Sequence, residues 1–127
     1  MRRILLVEDS PVIRAAAVTA LADAGFIVQA HATLESVILD GVEGFDLILM
    51  DVQMPDLYGD DVAGVLRRDR GITTPIFLFS NLDFFELAER TEAAGVDGFI
   101  LKSEGMGHLV ERVRGIFGMP TDDDGPG

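Results

Sequence analysis

Four apolar runs of this chain end in residues able to carry phosphoryl chemistry. Ile4-Leu5-Leu6-Val7 runs into Glu8-Asp9, and Leu47-Ile48-Leu49-Met50 runs into Asp51. Ile76-Phe77-Leu78-Phe79 runs into Ser80, and Phe99-Ile100-Leu101 runs into Lys102, the only lysine of the chain. Three carboxylates brought together repel one another unless a cation or a shared proton intervenes. Carboxylate oxygens with water are the ligands Mg²⁺ prefers. A carboxylate can also act as a nucleophile and form an acyl phosphate. An ammonium and a hydroxyl then supply what that reaction needs most, stabilisation of charge on the phosphoryl oxygens.

The elements that must position these residues follow from the pattern. A buried parallel strand reads as a continuous apolar run, and in open α/β sheets the functional site lies beyond the carboxyl ends of the strands. Strands are expected over residues 3–8, 26–31, 45–50, 76–79 and 96–101; the second, Phe26-Ile27-Val28, ends in no reactive residue. Helices are expected between them and after the last. Ser10 can cap the first, with Pro11 at its first position, and Gly25 can end it. Thr33 can cap a short second helix with Leu34, Val37 and Ile38 on one face. A third, over 60–68, has Val62, Val65 and Leu66 as its stripe. The fourth covers 83–94 and is closed by Gly95. The fifth covers 106–117, with Leu109, Val110, Val113, Ile116 and Phe117 facing inward.

Strict strand–helix alternation implies one parallel sheet with right-handed crossovers and helices on both faces. A dinucleotide-binding order would require a glycine-rich turn after the first strand. Glu8-Asp9-Ser10-Pro11 stands there and would repel a pyrophosphate. The expected fold is therefore α/β, doubly wound, with five strands in the order 2-1-3-4-5 and five helices. In that order Glu8, Asp9 and Asp51 meet at the sheet edge, Ser80 lies beside Asp51, and Lys102 lies one strand further on. The expected organisation is one domain over residues 1–118, then a disordered acidic tail or linker over 119–127.

The net charge of −12 disfavours nucleic acid and anionic lipid as partners. It leaves open adaptation to high salt or ordinary solubility. There is no cysteine, which excludes disulfides and thiolate metal sites and fits a reducing cytoplasm. The apolar stretch behind Met1-Arg2-Arg3 is too short for a signal peptide, and no run is long enough to span a membrane.

Taken together, Leu5-Leu6-Val7-Glu8-Asp9-Ser10, Leu49-Met50-Asp51-Val52-Gln53-Met54-Pro55, the stretch from Pro75 to Ser80, and Gly95-Val96-Asp97-Gly98-Phe99-Ile100-Leu101-Lys102 resemble a receiver domain of two-component response regulators, of the CheY-like, flavodoxin-like superfamily. The resemblance covers residues 2–117. It implies that Asp51 accepts a phosphoryl group from a sensor histidine kinase, a phosphotransfer protein or a small phosphodonor. It implies Mg²⁺ on Asp9, Asp51 and the Gln53 main-chain carbonyl, with Glu8 in the outer shell. Ser80 and Lys102 would contact the phosphoryl group, and Ser80 with the aromatic Phe99 would form the switch. The face built from the fourth helix, fifth strand and fifth helix would engage a downstream protein or a second copy of the chain. The domain would promote its own dephosphorylation without being a turnover enzyme, in the cytoplasm.

Three positions depart from the family's usual pattern. Ser103 follows Lys102 where proline, often with a cis peptide, is usual; a cis bond there would cost about 2.5–4 kcal/mol. Asn81 follows Ser80 where a small residue is common. Tyr58-Gly59 replaces the usual Asp-Gly.

Rival readings are a receiver-like interaction module that is never phosphorylated, a receiver fragment of a larger regulator, a haloacid-dehalogenase-type phosphatase and a flavodoxin-like electron carrier. The phosphatase wants an acid where Gln53 stands. The electron carrier wants a Ser/Thr/Gly loop where Glu8-Asp9-Ser10-Pro11 stands. Alone, Glu8-Asp9 would merely cap a helix, and Phe99 would be a plain aromatic. Phe84-Phe85 is expected to place one ring in the core and leave the other partly exposed. His31 and His108 read as surface or helix residues without a role.

Overall fold

The computed structural model describes residues 1–55 and 57–120, the side chains of residues 38–40 excepted. The chain begins with β1 (Arg3–Val7), α1 (Pro11–Asp23), β2 (Ile27–His31), α2 (Leu34–Asp40) and β3 (Leu47–Asp51). Two short strands, β4 (Gln53–Met54) and β5 (Leu57–Tyr58), pair antiparallel as a separate hairpin that was not expected from the sequence. Then come α3 (Gly59–Arg68), β6 (Ile76–Ser80), α4 (Phe84–Ala94) and β7 (Gly98–Leu101). A 3₁₀ turn, Lys102–Glu104, leads into α5 (Gly105–Ile116).

The main sheet has the order β2-β1-β3-β6-β7 with every pairing parallel. Leaving out the hairpin, this is the expected 2-1-3-4-5 order. The strands end level with one another, Val7 opposite both His31 and Met50, Asp51 opposite Phe79, and Ser80 opposite Leu101.

Both faces of the sheet are covered, so residues alternate between two cores rather than between core and water. Leu5, Val7, Ile48, Met50, Ile76 and Leu78 pack with Leu34, Val37, Ala63 and Leu87 from α2, α3 and α4. Ile4, Leu6, Leu47, Leu49, Phe79 and Ile100 pack with Ala17, Leu21, Leu109 and Val113 from α1 and α5. Ile4, Leu5, Leu6, Val7 and Leu47 through Met50 have no exposed surface. Each such aliphatic side chain contributes about 1.5–3 kcal/mol of transfer free energy.

The caps form as their chemistry requires. Ser10 Oγ accepts from Ile13 N at 3.3 Å, Thr33 Oγ1 from Ser36 N at 3.2 Å, and Asp83 Oδ1 from Glu86 N at 3.0 Å. The amino-terminal ends of two strands are held by acids on their neighbours. Asp46 Oδ2, just before β3, accepts from Arg3 N of β1 at 2.8 Å. Asp97 Oδ2, just before β7, accepts from Ile76 N of β6 at 2.8 Å.

Four sequence expectations are corrected. His31 is buried at 5% exposure: the start of α2 folds back over the end of β2, putting His31 Nδ1 2.7 Å from Ser36 Oγ. Neither Phe84 nor Phe85 enters the core; they are 55% and 81% exposed. Leu87 and Ala94 fill the buried side of α4, and Phe84 instead lies edge-on to Phe99 of the edge strand β7. Val65 is 44% exposed, because Ala63 occupies the buried side of α3 with Val62 and Leu66 flanking it. The fifth helix starts a residue earlier than expected, straight from the 3₁₀ turn. Met119 packs on the α1–α5 core and its N donates to Arg114 O at 2.8 Å; the remainder of the acidic tail, residues 121–127, lies outside the described residues. Among the described residues no helix is long and apolar enough to cross a membrane.

Candidate functional site

The site is assembled from strand ends. Beyond β1, Glu8 N donates to His31 O at 2.9 Å, continuing the strand pairing one residue further. Glu8 is fully buried and its Oε2 accepts from Ser10 N at 3.1 Å. Asp9 turns toward the edge and is half-buried. Asp51 closes β3 at 2% exposure. Oxygen atoms of Glu8, Asp9 and Asp51 lie within 4.8 Å of one another, and no other group of this kind occurs among the described residues.

Lys102 supplies the compensating charge. Its Nζ lies 2.6 Å from Glu8 Oε1 and 3.2 Å from Asp51 Oδ1, with 8% of the side chain exposed. The ammonium also lies 5.4 Å from the centre of the Phe79 ring. The peptide bonds of the described residues are all trans, including Lys102–Ser103. Ser103 thus takes the family's proline position within a 3₁₀ turn. Ser80 is 1% exposed, and its Oγ accepts from Leu82 N at 3.1 Å, which leaves its proton available for donation.

The remaining expected residues fall around this centre. Gln53 is exposed on β4, in the hairpin that follows Asp51. Phe99 is half-buried on β7, its ring 5.3 Å from that of Phe84, which is 5.5 Å from Phe85. His108 lines the groove of about 470 Å³ beside Phe84 and Phe99 and does not approach the acids.

One lysine cannot neutralise three acids. Burial first, then the hydrogen bond with Asp9, and then Glu8, raise the pKa of Asp51 against the opposing pull of Lys102, to about 8. The neutral form of Asp51 is thereby favoured, and the all-oxygen donor set of the cluster fits Mg²⁺. The link to stability has a definite sign. The folded pKa lies above the ordinary 3.8. The stabilising contribution of the protonated form is thus complete below that value and lost as pH rises through about 8. With chelator present, Asp51→Asn is expected to be more stable than the wild type by about 2 kcal/mol near pH 8.5, with the gap shrinking toward pH 5. Urea unfolding at both pH values checks this. A constant gap would show that the Asp51 charge is not strained.

Sequence reasoning missed three supports. Arg14 Nη1 donates to the main-chain oxygens of Glu8 at 2.9 Å and Asp9 at 3.4 Å, holding the acidic turn. Gly59 begins α3 against the end of β3: its N donates to Val52 O at 2.8 Å, and a Cβ there would lie 1.8 Å from Asp51 O. Asp60, 7% exposed, accepts from Arg90 Nη1 of α4 through both carboxylate oxygens, at 3.0 and 3.2 Å. Arg90 Nε also donates to Glu86 at 3.1 Å, and its guanidinium lies 4.9 Å from the Tyr58 ring centre. Burial opposes the Arg90 charge, but Asp60 and Glu86 outweigh it and raise its pKa. Of these contacts only Glu86–Arg90, at helical i,i+4 spacing, was legible beforehand.

Comparison with known proteins agrees with this geometry. The family model described as the response regulator receiver domain matches residues 4–114. The cell cycle transcriptional regulator CtrA of Caulobacter vibrioides is 30% identical over 90% of this chain and 49% of its own length. The transcriptional regulatory protein CusR of Escherichia coli is 31% identical over 91% of this chain and 51% of its own. The chain thus spans about half the length of these curated relatives. Among solved structures, the response regulator protein TrrA of Thermotoga maritima in complex with Mg(2+)-BeF superposes with a TM-score of 0.76 at 27% identity, covering 91% of this chain and 99% of that one. The chain belongs to the response regulator receiver domain family of two-component systems.

Proposed function

We propose that this receiver domain accepts a phosphoryl group on Asp51. The observation that carries the reading is the buried carboxylate at the end of β3, flanked by Glu8 and Asp9 and touched by Lys102 Nζ at 3.2 Å. The donor is the phosphohistidine of a sensor histidine kinase or phosphotransfer protein, or a small acyl phosphate. An Asp51 oxygen forms the new P–O bond while the donor's P–N or P–O bond breaks; a histidine leaving group takes up a proton on its ring nitrogen, and an acyl phosphate releases its carboxylate as the anion. Asp9, Asp51 and the Gln53 carbonyl would hold Mg²⁺, with Glu8 acting through water. When bound, the ion supplies positive charge to the phosphoryl oxygens. Lys102 supplies a second charge, and the Ser80 hydroxyl donates a hydrogen bond. Water later cleaves the acyl phosphate to inorganic phosphate, so the domain acts as a timed switch rather than a turnover enzyme.

The Ser80 proton is free to follow the phosphoryl group, and Phe99 lies on the neighbouring strand. Turning Phe99 inward would break its contact with Phe84 and reshape the groove formed by α4, β7 and α5. That face is the proposed output surface, for a downstream protein or a second copy of the chain. The net charge of −12 argues against direct nucleic acid binding by this segment.

Intact mass after incubation with acetyl phosphate or phosphoramidate and Mg²⁺ tests the proposal. One added phosphoryl group is expected, and it should be absent from Asp51→Asn and from the chelated sample. No adduct with any donor, and no binding of beryllofluoride, would leave a receiver fold used as a constitutive binding surface.

A further inference from the structure

Two different anchors hold α4 on the body of the protein. One is apolar and small, the buried Leu87 and Ala94. The other is the guanidinium of Arg90, which grips both oxygens of the nearly buried Asp60 across the Tyr58 ring. Asp60 directly follows Gly59, where an added Cβ would lie 1.8 Å from the Asp51 carbonyl oxygen and whose N bonds Val52 O. At the other end, α4 runs back through its Asp83 cap to Leu82, whose N is held by Ser80 Oγ. Asp51 and Ser80 end adjacent strands. The ion pair therefore closes a ring that runs from the Asp51 turn through α3, Arg90 and α4 to the Ser80 turn.

We infer that Arg90 is a positioning residue for the Asp51 site, acting through Asp60 to hold the Asp51 turn and the Ser80 turn at a fixed separation. The inference rests on the phosphoryl-acceptor reading and adds to it a link between α4 and the reacting end of β3. Without Arg90, the Asp60 carboxylate is buried with no cation, a state that proteins relieve by moving the group to water. Such movement shifts either the start of α3, with the hairpin that carries Gln53, or α4 with the Ser80 turn. Displacements of about an ångström at a phosphoryl site are enough to lower its occupancy strongly.

The test uses the full chain with beryllofluoride and Mg²⁺ as the phosphoryl mimic, followed by ¹⁹F NMR. The variants are Arg90→Ala, Arg90→Lys, Asp60→Asn and the double variant Arg90→Ala with Asp60→Asn. Urea midpoints and amide exchange are measured on the same samples. Arg90→Ala and Asp60→Asn should each weaken beryllofluoride binding about 10-fold, and the double variant should be no weaker than either. Arg90→Lys should recover part of the loss. Affinities equal to wild type alongside lowered urea midpoints would make the pair purely structural and overturn the inference. Failure of the wild type itself to bind would overturn the acceptor reading instead. Amide exchange in cation-free buffer would then decide the role of Arg90: faster exchange at both Gly59 and Leu82 in Arg90→Ala supports it, and unchanged exchange at either end overturns it.

Discussion

Lys102→Ala is expected to destabilise the protein by about 3 kcal/mol near neutral pH, because it removes the cation that compensates the fully buried Glu8. Glu8 has no exposed surface, and the ammonium 2.6 Å from its Oε1 is the positive group in contact with its carboxylate. Without the lysine, the hydrogen bond from Ser10 N to Glu8 Oε2 remains but carries no compensating charge. Mg²⁺ should restore part of the loss at neutral pH. Urea unfolding with and without Mg²⁺ measures both effects. Phosphorylation by acetyl phosphate should slow by about 10²–10³-fold, the usual effect of removing one preorganised charge from a reacting site. Lys102→Arg should not rescue the rate, since a planar guanidinium cannot fill the same position between two acids. Wild-type stability in Lys102→Ala at neutral pH would mean that the ammonium does not compensate the buried Glu8.

Gly59→Ala should be nearly as damaging, for a steric reason. The added Cβ would fall 1.8 Å from Asp51 O and 2.8 Å from Met50 Cγ. Neither neighbour can yield cheaply, since one is main chain and the other belongs to a fully buried side chain. The start of α3 would have to retreat, at a cost of about 3 kcal/mol. It would take the Gly59–Val52 hydrogen bond and the hairpin with it, lowering the phosphorylation rate about 100-fold. Gly64→Ala, in the same helix, is the control. The nearest atoms its Cβ would meet belong to the movable Arg68 guanidinium, at 2.8 Å, and alanine gains about 0.5–1 kcal/mol over glycine inside a helix. Equal losses in the two variants would show that α3 merely tolerates alanine poorly.

The strands of the main sheet and the Ser10 and Thr33 caps were legible because each is written locally, in an apolar run or a Ser or Thr before a helix, and their order followed from the acidic turn after the first strand. The acids, Ser80 and Lys102 were legible because the sheet order converts position at a strand end into position in space. Contacts between helices were not. Asp60 and Arg90 are 30 residues apart on different elements, and nothing local shows that one faces the other. The Tyr58 departure stood out in the sequence, yet its use as a platform for Arg90 depends on where α4 lies. The aromatic pair on α4 misled because amphipathic periodicity assumes a core beneath the whole helix, and its first turn lies over the edge strand. His31 misled because its burial comes from the following helix rather than from its own strand.

Coverage of the sheet on both faces has a consequence for how the chain finds its alignment. In a half-exposed sheet, sliding a strand by one residue turns its apolar side to water and is rejected at once. Here β1 and β3 are apolar on both sides, so a slip only exchanges one core for the other. The information that forbids it must lie at the strand ends. At one end stand Asp46 and Asp97, each bonded to the first amide of a neighbour; at the other stand Glu8, Asp51, Ser80 and Lys102. The chemically active residues thus double as punctuation marks that tell each strand where to stop.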